Sequence, residues 1–156
     1  MSLLRAFEPI RRPLFQAWSR VARGMTLGVR GLVTDGEGKV LLLRHTYMPG
    51  WYMPGGGVEF GETAEEALAR ELVEEAGVRL TARAQLVSFH SNHARFPGDH
   101  VLIYRVEAWE SCPATQVGEI EEVAWFAPDS LPAEATPSTR RRILEALGGE
   151  EPHPHW

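Results

Sequence analysis

The sequence predicts an α/β fold, a mixed β-sheet held between helices, on three observations. Apolar segments of strand length recur at about 25–34, 39–44, 82–91, 101–109 and 123–126. Two stretches, 64–76 and 137–147, have helical composition and end at glycine. The 156 residues suffice for one domain with a proper core. Apolar residues make up 44% and charged residues 24%, which excludes a disordered or fibrous chain.

Residues 1–24 form an N-terminal helical appendage to a domain spanning 25–147. Arg5, Arg11, Arg12, Arg20 and Arg23 face a single acid there, Glu8. Apolar residues from Leu3 to Ala22 recur at helical spacing, interrupted around Pro9 and Pro13. Such a segment docks on its own core or on a partner subunit, which leaves a homodimer open. A membrane-surface helix or a basic flap over an anionic substrate are the alternatives. No apolar run is long enough to span a membrane, and charge and proline interrupt the start too often for a signal peptide.

The first two strands, Met25 to Thr34 and Lys39 to Arg44, flank Asp35-Gly36-Glu37-Gly38, a hairpin signal. The loop TYMPGWYMPGGG follows. Trp51 on that loop is placed either to stack on a base or to cover the core, and Arg44 either holds a phosphate or is a surface charge.

The helix at 64–76 is the most informative stretch. Thr63 and Glu66 have capping-box spacing, and Gly77 supplies the terminating residue. From Glu59 to Glu75 seven carboxylates face one arginine, Arg70, a local charge of −6 in a chain of net −5. Glu71, Glu74 and Glu75 fall within about 100° of one another around the axis, over a floor of alanine. Clustered, partly buried carboxylates are costly unless protonated or neutralised by a cation. Oxygen-only ligands favour magnesium or manganese over zinc. The other reading is a solvated acidic face with Arg70 bridging Glu66 and Glu74.

Gly56, then Glu62, then Arg70-Glu71-Leu72-Val73-Glu74-Glu75-Ala76-Gly77-Val78, at these spacings, resembles the full signature of the Nudix hydrolases. The resemblance implies an α/β/α sandwich and Mg2+-dependent cleavage (Mn2+ as substitute) of a nucleoside diphosphate linked to another group. It also implies that Glu71, Glu74 and Glu75 bind the metal, joined by the backbone carbonyl of Gly56. Arg70 is expected to orient the glutamates.

Past the helix, the loop 91–100 and its approach offer His90, His93 and Arg95 for phosphate or ribose, with solvated loop residues as the plain alternative. One helix covers only one side of a cation, so a carboxylate from elsewhere makes chemical sense as ligand or general base. Glu119 best matches the family's position for it, with Glu122 behind. Glu71 and Glu119 are both candidates for the base.

ADP-ribose or another nucleoside diphosphate sugar is the favoured substrate, because arginine, histidine and aromatic side chains around 44–52 and 90–100 could line an elongated cleft. Nucleoside triphosphates and a non-hydrolysing nucleotide sensor are the alternatives. No basic stripe suggests nucleic-acid binding. The single cysteine, Cys112, fits a reducing cytoplasm. The tail 148–156 is expected to be flexible.

Overall fold

The computed structural model describes residues 24–116 and 118–156. The helical appendage read over 1–24 lies outside them, but for Gly24. Among the described residues seven strands and two helices follow in order: β1 (Thr26–Val33), β2 (Val40–His45), α1 (Ala64–Ala76), β3 (Val78–Leu80), β4 (Gln85–Ser91), β5 (Asp99–Val106), β6 (Trp109–Ser111), β7 (Ile120–Phe126) and α2 (Pro137–Gly148). Among the described residues no helix is long and apolar enough to cross a membrane.

β1 runs parallel to β5, and β5 antiparallel to β4, giving a three-stranded mixed sheet. β2 pairs antiparallel with β7, and β3 with β6. The side chains of the central strands sort by parity, as the two-residue repeat of a strand requires. Val29 and Val33 of β1, Leu41 of β2 and Tyr104 and Val106 of β5 pack with Leu68 and Leu72 of α1. Leu32, Leu42 and Ile103, from the same strands, pack with Ile143 and Ala146 of α2. The result is the expected α/β/α sandwich, with a core on each face. Close approach of α1 depends on Gly31, where a Cβ would lie 2.9 Å from Leu72 Cδ2.

Two expectations need correction. The turn at 35–38 does not open into a paired hairpin: Asp35 Oδ1 accepts from Glu37 N–H (2.9 Å) and Lys39 N–H (2.8 Å), Asp35 N–H donates to Lys39 O (3.1 Å), and the pairing stops at the Thr34–Val40 bridge. The strands then part, β1 to pair with β5 and β2 with β7.

The tail is not free either. Ser91 N–H donates to Pro154 O (2.8 Å) and Trp156 N–H to Ser91 O (2.9 Å), so 154–156 lie along β4. Beneath them Arg142, 1% exposed, pairs with Glu145 (3.0 Å) and donates to His153 O. Burial lowers the pKa of both Arg142 and His90. The His90 ring completes the cluster: Nδ1 lies 2.6 Å from His153 O and against Arg142 Nη1, and Nε2 lies 2.7 Å from Ser88 Oγ. Burying a guanidinium is costly unless its donors are met, and the tail carbonyl meets one of them.

Deleting residues 150–156 should therefore destabilise the fold by about 2 kcal/mol, the cost of unsatisfied buried polar groups. Urea denaturation measures this; an unchanged midpoint and slope would show that the tail contributes nothing.

Candidate active site

The site begins with the backbone of the glycine run. Residues 54–58 lie along the edge of β1 that β5 leaves open. Gly31 N–H donates to Pro54 O (2.8 Å), Val29 N–H to Gly56 O (2.9 Å) and Val58 N–H to Leu27 O (2.8 Å). Gly55 has φ 136°, and a Cβ there would stand 2.2 Å from Val29 O, so only glycine permits this approach. At Gly56 a Cβ would come within 2.4 Å of Glu71 Oε1. The missing side chain is the cradle in which the Glu71 carboxylate rests against the backbone.

Helix α1 forms as its sequence requires. Thr63 Oγ1 accepts from Glu66 N–H, Glu66 Oε2 accepts from Thr63 N–H, and Gly77 closes the helix in the left-handed region. Because Glu66 is committed to the cap, it does not pair with Arg70. Instead Glu62 grips Arg70 with both carboxylate oxygens, from Nε (2.9 Å) and Nη2 (3.0 Å). The guanidinium so fixed gives Nη1–H to Glu71 Oε1 (2.7 Å) and Glu74 Oε2 (3.2 Å), and Nη2–H to Gly57 O (3.1 Å). These bonds raise the pKa of Arg70 further, chiefly through Glu62. Arg70 thus holds two of the sequence-predicted glutamates, Glu71 and Glu74, by contact.

Glu75 points inward and is 7% exposed, with Oε2 accepting from Gly55 N–H at 2.8 Å. Burial pushes its pKa up to about 7; the Gly55 bond and nearby Arg30 pull it down, and Glu71 and Glu119 push it up. Among the described residues no three acidic, histidine or cysteine side chains converge as a closed metal cage. Glu71 and Glu74 turn to Arg70, and Glu75 to the glycine turn. The donor set is nonetheless oxygen alone: three carboxylates and the carbonyl of Gly56, which a hard divalent cation fits. The Gly56 cradle brings one carboxylate to that backbone, and raised Glu75 marks a charge wanting a counterion.

Arg30 escaped the sequence reading. It is the one charged residue within TLGVRGLV, and that interruption of an apolar strand was the available signal. Burial lowers its pKa, and Glu75 and Glu71 oppose the shift, so the side chain lies within electrostatic reach of both. It also lines a cleft of about 250 Å³ with Gly56, Gly57, Asn92, Asp99 and Trp156. Asp99 is fixed there by Thr26 Oγ1 and Asn92 Nδ2, both at 2.7 Å. Glu119 comes from the segment that precedes β7. Its carbonyl accepts from Thr46 N–H (2.9 Å), and its charge is felt at Glu75, His45 and Tyr47. The structure thus gathers Gly56, Arg70, Glu71, Glu74, Glu75 and Glu119 in one region.

The expected substrate contacts fare differently. Trp51 is 5% exposed and packs edge-on to Phe126, in the core. Arg44 pairs with Glu121 (3.2 Å) and Glu122 (2.9 Å) across the β2–β7 ladder and covers the Trp51 ring, so it is not free for phosphate. His90 is fully buried beneath the tail. Trp51 thus takes the core-covering alternative, Arg44 is held by a partner strand, and His90 faces the interior and not substrate. His93 is exposed and its Nδ1 accepts from Gly98 N–H (3.2 Å), shaping the 91–100 loop. Arg95 is exposed beside the start of α2.

Glu75 makes a pH signature. A carboxyl raised from about 4.5 unfolded to about 7 folded stabilises fully below the lower value, and that contribution is lost as pH rises through 7. In the absence of divalent cations, thermal stability should fall between pH 5 and 8 by about 3 kcal/mol. In Glu75→Gln that part of the fall should vanish; parallel profiles for both proteins would refute the assignment.

The NUDIX domain family model matches residues 24–147. A MutT-like protein of Streptomyces ambofaciens is 31% identical over 128 residues, 82% of this chain and 80% of that protein. A putative 8-oxo-dGTP diphosphatase of Bacillus subtilis is 28% identical over 126 residues, covering 81% and 83%. The crystal structure of a MutT NUDIX hydrolase from Burkholderia pseudomallei superposes with a TM-score of 0.67 at 30% identity, covering 78% of this chain and 97% of that one. With the glycine turn, the capped acidic helix and this match over most of its length, the chain belongs to the Nudix hydrolase family, enzymes acting on phosphoanhydride bonds.

Proposed function

We propose that this enzyme hydrolyses the phosphoanhydride of a nucleotide with Mg2+ held by Glu71, Glu74, Glu75 and the Gly56 carbonyl. The family generally uses such divalent cations. The observation that carries the reading is Glu75, a carboxylate buried to 7% exposure with one hydrogen bond and two acidic neighbours. A chemical role accounts for retaining that cost.

The bound cation supplies charge neutralisation at the phosphate oxygens and an acidified water. The chain supplies the rest. Arg70, anchored by Glu62, sets the spacing of Glu71 and Glu74 and acts as a positioning residue. Arg30 adds a fixed positive charge at the cleft, where negative charge accumulates as phosphorus is attacked. Glu119 is the group that takes the proton of the attacking water: among the described residues it holds no ion pair, whereas Glu71 is already tied to Arg70.

For the substrate, the side chains that favoured a diphosphate sugar have lost Arg44, Trp51 and His90. A nucleoside triphosphate is therefore the first reading, supported by the name of the Bacillus subtilis relative, a putative 8-oxo-dGTP diphosphatase matched over 83% of its length. ADP-ribose or a similar diphosphate sugar is the second, favoured by the cleft that runs from Gly57 past Asn92 to Trp156.

A panel of nucleoside triphosphates, ADP-ribose and diphosphate sugars with Mg2+ or Mn2+, its products resolved by chromatography, tests the activity. Release of a nucleoside monophosphate is expected. Glu74→Gln and Glu119→Gln should each lower kcat on the order of 100-fold while leaving the fold intact. Near-normal turnover in Glu74→Gln would remove the metal reading.

A further inference from the structure

A second cavity, of about 330 Å³, opens between the 91–95 segment, the start of α2 and the tail, and shares Asn92 and Trp156 with the cleft at Gly57. Arg95, Arg141 and His155 line it, and no acidic residue does, in a chain of net charge −5. Neither Arg95 nor Arg141 has a side-chain ion pair or hydrogen bond among the described residues. That sets them apart. Arg30 at the catalytic cleft aside, every other described arginine holds a carboxylate or a carbonyl oxygen. The mouth also receives the N-terminal end of a 12-residue helix with no acid in its first turn, unlike α1 with Glu65 and Glu66. The helix dipole there is uncompensated and adds to the positive field.

Two guanidinium groups without a carboxylate partner line one concave surface, and their planar forks match phosphate oxygens. The tail is integral to the cavity, since the hydrogen bonds of 154–156 to Ser91 bring His155 and Trp156 to it. We propose that this pocket binds a phosphate group, separate from the phosphoanhydride held at the glutamates. The phosphate is either free or the far end of the substrate itself, since Asn92 and Trp156 join the two cavities; the latter source rests on the function proposed above.

The test uses the full chain, with and without Mg2+. Inorganic phosphate is titrated while the amide resonances of 91–95 and 138–141 are followed. Saturable shifts are expected at these positions, and the affinity should fall about 10-fold or more in the double variant Arg95→Gln/Arg141→Gln. Both positions are exposed, and an unchanged melting temperature confirms that the variant is folded. Absence of shifts in the wild type, or an equal response in the variant, overturns the proposal. Binding of ADP-ribose and of its 2′-phosphate then separates the sources. A tenfold preference for the 2′-phosphate that the double variant abolishes identifies the substrate's own second phosphate. Equal binding of the two, with inorganic phosphate still bound, supports a free-phosphate site. Because these are binding readouts, failure of hydrolysis would count against the enzymatic reading and leave the pocket standing.

Discussion

One hydrogen bond organises the catalytic side of this molecule: the N–H of Gly55 donating to the inward carboxylate of Glu75. It joins the edge of the central sheet to the last turn of α1. For it to form, the backbone must pass so close to Val29 that no side chain fits at position 55, and Leu72 must sit where a side chain at position 31 would. The turn and the helix are therefore fixed to each other through the sheet. Glu71, on the same helix, is then delivered against Gly56 by the helical repeat alone.

That arrangement concentrates negative charge, and the fold answers it twice. Arg70 spans Glu62, Glu71 and Glu74 as a fixed internal counterion. Arg30 approaches Glu75 from β1 through the field rather than by contact. Neither neutralises Glu75 fully, which is why burial still leaves its pKa near 7. The one buried carboxyl left under-neutralised is the group at which a divalent ion would add most. The rest of the sandwich supports this geometry from both faces.

Local chemistry was legible in the sequence, and long-range pairing was not. The bounds of α1 follow from Thr63, Glu66 and Gly77, three residues acting within a turn of their own positions. The glutamates could be placed together because a helix fixes spacing within itself. Partners across the chain were hidden. Trp51 lies in a stretch rich in proline and glycine, but Thr139 and Phe126 take it into the core. Arg44 resembles a phosphate ligand until Glu121 and Glu122 arrive from β7, 77 and 78 positions away. The 35–38 turn is correct as a turn, but the partners of the two strands it joins are β5 and β7, far along the chain. The tail has the composition of a loose terminus, and it is a buried arginine, Arg142, that recruits it. Arg30 was visible only as one charge in an apolar strand.

The central claim is that Glu75 is a ligand and not merely a buried acid. Manganese binding, read from the loss of the free-ion signal in electron paramagnetic resonance, tests it most directly. Wild-type protein should take up Mn2+ with an affinity that Glu75→Gln lowers on the order of 10- to 100-fold, while circular dichroism shows the variant folded. Equal Mn2+ binding by the two proteins would contradict the account.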